Sequence, residues 1–461
     1  MGLFGTMFIG YSGLYSDSIA TKVSADNITN LNTVGFKGSR TEFANELVRA
    51  QEVFARERGY GTNIKAIRTI FTQGSLQTTD VPTDLAIIGK GFFVVQDAKG
   101  NEFFTRDGQF FINEADEQHY TLQNALGMSL LGADPDAREA DLATLRPQLI
   151  PKIMPAKGTS YIKAELLLDS RKPLNVETLV SKYDAGVNPT KPLPDGKYDW
   201  VFEWQIYDTS GEIIPVKLYV DRGSTPNTYE VLFTLSDPSK DGRGEGKMKG
   251  AFLYGEITFG SSGEVIHSSF YDVALDGTIT SQNISQLGKP RATLNIGGTT
   301  QEITLDFGFT VNPDNSITRE VGSLKMMASP FTQLGFNQDG YPLGVFDRLE
   351  VINEEGQIRA WYTNQKDIAV ARIFLADFAG YEEALDKIGN GLFRARPGVT
   401  AFLFAPSSAE RGRILSGALE GSNVDLAMEM VNLIVLQRSF QSNSRVITTA
   451  DGMLEDFLRQ R

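Results

Sequence analysis

The chain has 461 residues, of which 41% are apolar and 22% charged, a composition typical of a globular protein with about three domains. Its net charge of −13 argues against nucleic-acid binding, which depends on clustered Lys and Arg. The sequence contains no cysteine, which excludes disulfides, zinc–thiolate sites, iron–sulfur ligation and cysteine nucleophiles. No apolar run is long enough for a transmembrane helix, so no membrane insertion is expected.

The first residues are apolar but lack the basic region and the cleavage site of a signal peptide, so no cleaved leader is expected. A short match to the myristoylation pattern, Met1-Gly2 followed by Thr6, is interpreted as chance. Residues 1–31 are predicted to form a helix whose glycines make it stable only when packed. Its main apolar stripe has a spacing of three and four and contains Phe4, Met7, Tyr11, Leu14 and Ile28.

A turn is predicted after this helix, between Asp26 and Lys37. Asn side chains cap and turn the backbone, and Gly permits a positive φ. The residues singled out in this turn are Asn30, Asn32, Gly35 and Phe36. Residues 32–70 as a whole are interpreted as a linker, with Phe43, Leu47, Val48 and Phe54 on a loose helical spacing.

Short apolar runs bounded by glycine predict strands from residue 71 onward, at Leu85–Gly89 and Phe92–Val95. Two hairpin turns are predicted here, at Asp97–Gly100 and Arg106–Gly108. Residues 71–148 and 329–421 are expected to form one β-rich domain, with a short helix near Tyr381–Ile388.

Residues 149–328 are predicted to form an inserted β-sandwich or barrel, because turn signals separate many short strand-like runs. The predicted architecture is therefore mixed and mainly β. Two antiparallel β domains, one inserted in the other, would lie between paired terminal helices. The strand-like runs are Tyr161–Leu168, Trp200–Tyr207, Ile213–Val220, Tyr229–Leu235, Ala251–Phe259 and Thr300–Phe309.

The C-terminal stretch 422–461 is predicted to be a long helix with an apolar residue at every seventh position, a pattern built for a coiled-coil partner. The helix at 1–31 is the expected partner, and a second apolar face remains for other contacts. These seventh-position residues and an interleaved apolar series form the predicted contact seam of the helix, and Glu429 and Asn443 are its polar exceptions. The positions selected as contact residues are Val424, Leu426, Val431, Leu433, Leu436, Phe440, Ile447, Leu454 and Phe457.

No catalytic, cofactor or metal site is predicted. The two histidines, His119 and His267, lie far apart in the sequence. Gly246-Lys247 is followed by methionine where a P-loop needs Ser or Thr, and the glycine spacing is wrong. Asp134-Pro135-Asp136 resembles the start of a calcium loop, but Arg138 occupies a ligand position. An enzyme is therefore the least supported class.

Four segments together resemble the flagellar axial protein family, which builds the rod and the hook. Asp26–Lys37 is similar to the family's Asn-rich N-terminal motif, with departures at Asp26 and Thr29. The other three segments lie in the first β region and at the start of the C-terminal helix. They are Phe71–Leu76 with Asp84–Phe93, Phe104–Phe110, and Leu419–Leu426 with Val431-Asn432 and Gln437–Gln441.

The length and the inserted β domain are similar to the hook-building members of that family, as are Ser39–Phe43 and Gln338–Pro342. The resemblance implies a homopolymer that forms a flexible tube and transmits torque from rod to filament. It also implies an extracellular location in the flagellum after export through the flagellar secretion apparatus. The implied partners are the hook cap, the distal rod and the hook–filament junction proteins.

Two alternatives remain open at this point. One is a distal-rod subunit of the same family. The other is a β-sandwich surface protein such as a carbohydrate-binding adhesin, in which Trp200, Trp204 and Trp361 would form a sugar platform. Burial in a hydrophobic core is the competing explanation for these tryptophans.

Overall fold

A computed structural model describes residues 3–48, 58–353, 355–406 and 412–459. The chain divides into two compact units. Unit 1 contains Met1–Lys152 and Phe346–Arg461, and unit 2 contains Ile153–Val345. Unit 2 is therefore an insertion within unit 1. The described fold is mainly β, with 44% strand and 17% helix.

The first part of unit 1 contains one long helix, a pair of long strands, a series of short strands and a 3₁₀ turn at Leu142–Thr144. These elements are α1 Leu3–Thr29, β1 Ser39–Val48, β2 Arg58–Thr69, β3 Leu76–Thr78, β4 Leu85–Ile88, β5 Phe93–Gln96, β6 Glu102–Thr105, β7 Phe111–Glu114, β8 His119–Gln123, β9 Ser129–Gly132, β10 Arg146–Pro147 and β11 Ile150–Pro151.

Unit 2 consists mostly of strands, with one short helix and a 3₁₀ turn at Pro238–Lys240. These elements are β12 Ile153–Met154, β13 Tyr161–Asp169, α2 Leu179–Lys182, β14 Trp200–Tyr207, β15 Ile213–Arg222, β16 Thr228–Leu235, β17 Ala251–Phe259, β18 Val265–Val273, β19 Ile279–Gln282, β20 Arg291–Ile296, β21 Thr299–Asp306, β22 Phe309–Val311, β23 Ile317–Arg319, β24 Lys325–Met327 and β25 Thr332–Gln338.

The remaining strands and the last helix complete unit 1, and the first of these strands starts at the end of unit 2. They are β26 Gly344–Val351, β27 Gln357–Tyr362, β28 Asp367–Arg372, β29 Leu375–Asp377, α3 Tyr381–Ala384, β30 Leu385–Gly389, β31 Leu392–Ala395, β32 Phe402–Phe404, β33 Arg413–Ser416, β34 Ala418–Glu420 and α4 Leu426–Arg459.

Unit 2 contains two main sheets around one hydrophobic core. One sheet is antiparallel and has the order β14-β15-β16-β17-β18-β19. The other has the order β20-β21-β13-β24, with β25 also paired to β13. Side chains of β13 alternate between core and surface, so Ile162, Ala164, Leu166 and Leu168 are buried. The unit is a sandwich and not a barrel.

The second sheet of unit 2 is mixed, so the prediction of two purely antiparallel domains is wrong for this sheet. Strand β13 runs parallel to β21 and β24 and antiparallel to β25. Residues 329–345, which the sequence analysis assigned to the resumed first β domain, lie in unit 2 because Thr332–Gln338 pairs with Tyr161–Asp169. Periodicity reveals a strand but not its pairing partner.

The main sheet of unit 1 combines strands from before and after the insertion, in the order β11-β8-β9-β5-β6-β31-β30. The connection is the pairing of β31 with β6, where Phe393 lies opposite Phe104. Its core contains Phe92, Phe104, Phe374 and Phe393. The predicted helix at Tyr381–Ile388 is wrong beyond Ala384, because the following residues form strand β30 of this sheet.

Residues 39–48 and 58–69 form an antiparallel ribbon of β1 and β2, so the loose helical spacing predicted for Phe43, Leu47 and Val48 is wrong. A two-stranded ribbon is marginally stable alone, and this one lies against α1. The Thr62 backbone N–H donates to Ser12 Oγ at 3.2 Å, and the Phe8 and Tyr60 rings are 4.8 Å apart. Phe54 lies outside the described residues.

Candidate functional site: the terminal helices and the ion cluster beneath them

The two terminal helices, α1 and α4, pack against each other in antiparallel orientation, and we call them the helix pair. They approach closely because the packed face of α1 consists of small residues, including Gly10, Gly13 and Ala20. A Cβ atom placed on Gly13 would lie 2.5 Å from Asn443 Nδ2, and one on Gly10 would lie 2.8 Å from Ile447 Cγ1. A larger residue at either position would require Asn443 or Ile447 to move.

Several polar groups buried in the helix pair form hydrogen bonds across it. Asp17, which is 6% exposed, accepts hydrogen bonds from Ser439 Oγ at 2.8 Å and Asn443 Nδ2 at 2.9 Å. Asn27 Nδ2 donates to Glu429 Oε1 at 2.8 Å. The two polar interruptions of the predicted seam, Glu429 and Asn443, therefore set the register of the pair, as polar seam residues do in coiled coils.

The residues predicted on α4 divide between the inner and outer faces of the helix. Leu433, Leu436, Ile447 and Leu454 are partly buried, and Ala450 is fully buried. Exposed positions carry the other predicted residues: Leu426 at 42%, Val431 at 54%, Phe440 at 45% and Phe457 at 64%.

The prediction that Leu426, Phe440 and Phe457 lie in the seam is wrong. A helix has 3.6 residues per turn, so a strict seven-residue repeat drifts around a straight helix. The seam at the level of Phe440 is occupied by Ser439, which reaches Asp17 on α1.

The predicted apolar stripe of α1 is not the face that packs on α4. Phe4 is 76% exposed and Tyr11 is 60% exposed, while Met7, Leu14 and Ile28 are partly buried. The buried face consists instead of the smaller residues Gly10, Gly13, Ser16, Asp17, Ala20, Ser24 and Asn27. Hydrophobic periodicity missed this face because small and polar residues carry no apolar signal.

The turn after α1 is held by its own side chains and by glycine. Asn30 Nδ2 donates to the Asp26 carbonyl oxygen at 2.8 Å, whereas Asn32 is exposed. Gly35 has a φ of +66°, and a Cβ on it would lie 2.6 Å from the Arg106 carbonyl carbon. Phe36 is buried, with the Lys387 ammonium 4.0 Å from its ring centroid.

Beneath the turn lies a buried cluster of three charged side chains, Lys37, Arg106 and Glu420, which we call the ion cluster. Lys37 Nζ is 2.6 Å from Glu420 Oε1, and Arg106 Nη1 is 3.0 Å from Glu420 Oε2. Gly74 also donates its backbone N–H to Glu420 Oε1 at 2.9 Å. The side chains of Lys37 and Glu420 are fully buried, and that of Arg106 is 3% exposed.

Two cations share one carboxylate in this cluster, so one positive charge is not balanced by Glu420. Burial lowers the pKa of Lys37; the nearby Glu420 carboxylate opposes this shift, and Arg106 adds to it. Lys37 Nζ also donates to the Thr72 carbonyl oxygen at 2.8 Å, and Arg106 Nη2 donates to the Gly89 carbonyl oxygen at 2.8 Å. These acceptors spread the excess charge over main-chain dipoles.

Asn423 continues the polar contacts toward α4. Its Oδ1 accepts from the Gly38 backbone N–H at 2.8 Å, and its Nδ2 donates to the Ile70 carbonyl oxygen at 2.7 Å. Val424, a predicted contact residue, is partly buried, with Cγ2 3.1 Å from the position of a Cβ on Gly38. The chain entering α4 is thus fixed to the start of the β1–β2 ribbon.

All four motif segments found in the sequence therefore meet in unit 1, through Lys37, Gly74, Arg106 and Glu420. These residues lie within the sequence motifs, but the motifs alone predict no site role for them. The interpretation of Arg106–Gly108 as a hairpin turn is wrong, because β6 pairs with β5 and β31 while β7 pairs with β8.

The other candidate sites were a catalytic histidine, a metal site and a sugar platform, and the described residues form none of them. His119 contacts Asp116 at an exposed turn. Among the described residues there is no group of three or more His, Asp or Glu placed to hold a metal, and no helix has the length and hydropathy to span a bilayer. Trp204 is buried in the unit 2 core with Nε1 donating to Gln333, whereas Trp361 belongs to unit 1.

Three family models match separate parts of the chain. Residues 86–148 match the flagellar hook protein FlgE/F/G D1 domain, and residues 170–341 match the flagellar basal body protein FlaE D2 domain. Residues 415–460 match the flagellar basal body rod FlgEFG protein C-terminal region. These matches define the class as an axial protein of the flagellum.

Relatives match over nearly the whole chain. Flagellar hook protein FlgE of Borreliella burgdorferi is 28% identical over 485 residues, covering 98% of this chain and 99% of the relative. FlgE of Salmonella typhimurium is 28% identical over 455 residues, covering 98% of each chain. The family models and these relatives together support a flagellar hook protein. A crystal structure of Helicobacter pylori hook protein FlgE2 aligns with a TM-score of 0.44 at 15% identity, over 73% of this chain and 98% of that one.

Proposed function

We propose that this chain is a structural subunit of the flagellar hook, which polymerises through its helix pair into a flexible tube that transmits torque. It is a structural protein and not an enzyme. The observation that carries the proposal is the uncovered apolar surface on both helices of the pair, in a chain of the hook family.

The outer face of α1 is apolar and uncharged. No charged residue occurs in 3–16, and Phe4, Phe8, Tyr11 and Tyr15 are between 44% and 76% exposed. Aromatic side chains four and three positions apart lie on one face of a helix. An exposed patch of this kind marks a protein–protein contact in a soluble protein.

The outer face of α4 is aliphatic over its first three turns. Met428, Val431, Ile434 and Val435 are each more than half exposed. Between residues 426 and 437 the single charged side chain is Glu429, which bonds to Asn27 of α1. Neighbouring copies of the chain would bury this face in the polymer.

The proposed contact residues have three roles. Phe4, Tyr11, Leu426, Val431, Phe440 and Phe457 are exposed and would contact neighbouring subunits. Leu433, Leu436, Ile447 and Leu454 would hold the helix pair together, whereas Met7, Leu14 and Ile28 are partly buried on the stripe of α1 that does not pack on α4. Asn30, Asn32, Gly35, Phe36 and Val424 lie where the helices join the β part of unit 1.

The finer details of assembly extend this proposal. The helix pair would line the inner channel, and the β domains would contact their neighbours through weak polar contacts that can slide. The protein would be exported by the flagellar secretion apparatus. It would then contact the hook cap, the distal rod and the hook–filament junction proteins. Its location would be the hook, outside the cell.

A matched pair of substitutions tests the proposal. Phe440→Asp changes an exposed residue, so monomer stability should change by less than about 0.5 kcal/mol while polymerisation is lost. Leu433→Asp changes a partly buried residue, so it should also loosen the helix pair, by about 1–3 kcal/mol. Sedimentation and electron microscopy measure the polymer, and urea unfolding measures the stability. Normal polymers from Phe440→Asp would contradict the proposed role of this face.

The two alternative functions are not favoured. A distal-rod subunit is not favoured, since the relatives that match over nearly the full chain are hook proteins. A sugar platform built from Trp200, Trp204 and Trp361 is not favoured either, since Trp204 is 3% exposed and lies in the core of unit 2.

A further inference from the structure

A groove runs along the helix pair between α4 and the β1–β2 ribbon, and α1 forms its floor. Two cavities of about 350 and 480 Å³ form it, and both are lined by Phe43, Val435 and Leu436. Phe43 is 48% exposed and Val435 is 59% exposed, so the groove is open to solvent. It could hold large apolar side chains.

Two polar atoms in this groove are buried without a hydrogen-bond partner among the described residues. These two atoms are Glu429 Oε2 and Thr41 Oγ1. The other carboxylate oxygen of Glu429, Oε1, accepts a hydrogen bond from Asn27. A buried carboxylate oxygen without a donor is costly, and such groups in native proteins usually find one. The occupant of the groove should therefore bring a hydrogen-bond donor, preferably a cation, together with apolar side chains.

The last turn of α4 has these properties. Met453, Phe457 and Leu458 are 56%, 64% and 68% exposed. In the antiparallel helix pair Gly13 lies opposite Asn443, so Leu3, the first described residue of α1, lies level with Met453. The residues of α4 after Met453 therefore extend past the described start of α1. Arg459 lies in this turn, and no carboxylate of the described residues pairs with its guanidinium.

We propose that the groove receives the last turn of α4 from a second copy of the chain. Phe457 and Leu458 of that copy would fill the apolar part of the groove, and its Arg459 would donate to Glu429 Oε2. This inference rests on the proposed function and names the partner surface of the helix pair.

The contact joins two different surfaces of the same chain, so it is heterologous. A heterologous contact that does not close into a ring generates an open helical polymer, the form that a tube requires. The groove of each copy would be filled by the next copy, so the orphan carboxylate oxygen would be satisfied only in the polymer.

Disulfide trapping tests the proposal, because the chain has no cysteine of its own. Asn432 is exposed and lines the groove, so Asn432→Cys combined with Leu458→Cys places one thiol on each surface. Within one chain these positions are about 39 Å apart along α4, too far for a disulfide. Oxidation during assembly should therefore produce a ladder of dimers, trimers and longer chains.

The matched control is Gln441→Cys with Leu458→Cys, since Gln441 is also exposed on α4 but lines neither cavity. It should polymerise without forming a ladder. A ladder from the control equal to that from the test pair, or polymers of the test pair that form no ladder, would overturn the inference and leave the proposed function intact. Failure of the unmodified chain to polymerise would overturn both.

A charge reversal gives a second measurement. Arg459→Glu would bring a carboxylate against Glu429, so the critical concentration for assembly should rise at least about tenfold. Arg445→Glu reverses a charge on an exposed part of α4 outside the groove and serves as the control. An equal rise for both variants would mean that net charge and not this contact controls assembly, which would contradict the proposal.

Discussion

Glu420 joins several segments of unit 1. Its two carboxylate oxygens accept from Lys37, Arg106 and the Gly74 backbone N–H, and its backbone carbonyl accepts from Gly35. It lies six residues before α4 and therefore joins the start of that helix to the turn after α1. One carboxylate thus holds together four segments that are far apart in sequence.

Glu420→Gln should destabilise unit 1 by about 3–5 kcal/mol, because it leaves two buried cations without an anion. Lys37→Met should cost less, about 1–2 kcal/mol, since Glu420 keeps its bonds to Arg106 and Gly74. Urea unfolding of the full chain measures both changes. A larger loss for Lys37→Met than for Glu420→Gln would contradict this account of the charge balance.

At the scale of elements, the helix pair is specified by small and polar residues more than by its large apolar ones. Gly10, Gly13 and Ala20 let the helices approach, and Asp17 and Asn27 fix their register. Phe4, Tyr11 and Tyr15 of α1 are more than half exposed and remain available for other contacts. This division leaves the pair formed in the monomer while its outer faces stay exposed.

Gly13→Leu should disrupt the helix pair, because its Cβ would lie 2.5 Å from Asn443 Nδ2 and displace that side chain from Asp17. Gly452→Leu is the matched control, since a Cβ there has no atom within 4 Å. Both substitutions increase helix propensity by about 1 kcal/mol, so only the contact differs. Hydrogen exchange of α1 and α4 should accelerate in Gly13→Leu alone, and equal exchange in both variants would contradict the prediction.

At the scale of the whole molecule, each unit has its own hydrophobic core. In unit 2, Asp339 directly follows β25 and binds the backbone at the start of β13. Its carboxylate accepts from the Ser160 and Tyr161 backbone N–H groups at 2.8 and 2.9 Å and pairs with Lys157 at 2.9 Å. Burial raises the pKa of Asp339, but the bonds from Ser160, Lys157 and the backbone outweigh it and lower this pKa to about 2.

Asp339→Asn should lower the stability of unit 2 by about 1–3 kcal/mol near neutral pH and leave unit 1 unchanged. The depressed pKa means that the ionised carboxylate stabilises the folded state above its ordinary value of 3.8, and that this contribution is lost as the pH falls through about 2. The difference between wild type and Asp339→Asn should therefore shrink below pH 4. Hydrogen exchange of peptides from each unit, followed against urea and pH, checks both statements, and a pH-independent difference would contradict them.

Much of the fold follows from local pattern. Alternation and turn residues located the strands at Trp200–Tyr207 and Ala251–Phe259 with the correct bounds, and the seven-residue repeat found the long helix α4. The partners of each strand did not follow from pattern, as the parallel pairing of β13 shows. The domain boundaries and the contact residues proposed from the sequence remain predictions.

The sequence by itself determined that the chain is mainly β with helical ends and that its motifs resemble those of the flagellar axial family. Only the tertiary structure decided which face of α1 packs, that Arg106 and Glu420 meet, and that a groove with an orphan carboxylate oxygen lies beside α4. The reason is that apolar periodicity is local and visible in a single strand or helix. Close packing on glycine and the pairing of buried charges depend instead on residues hundreds of positions away.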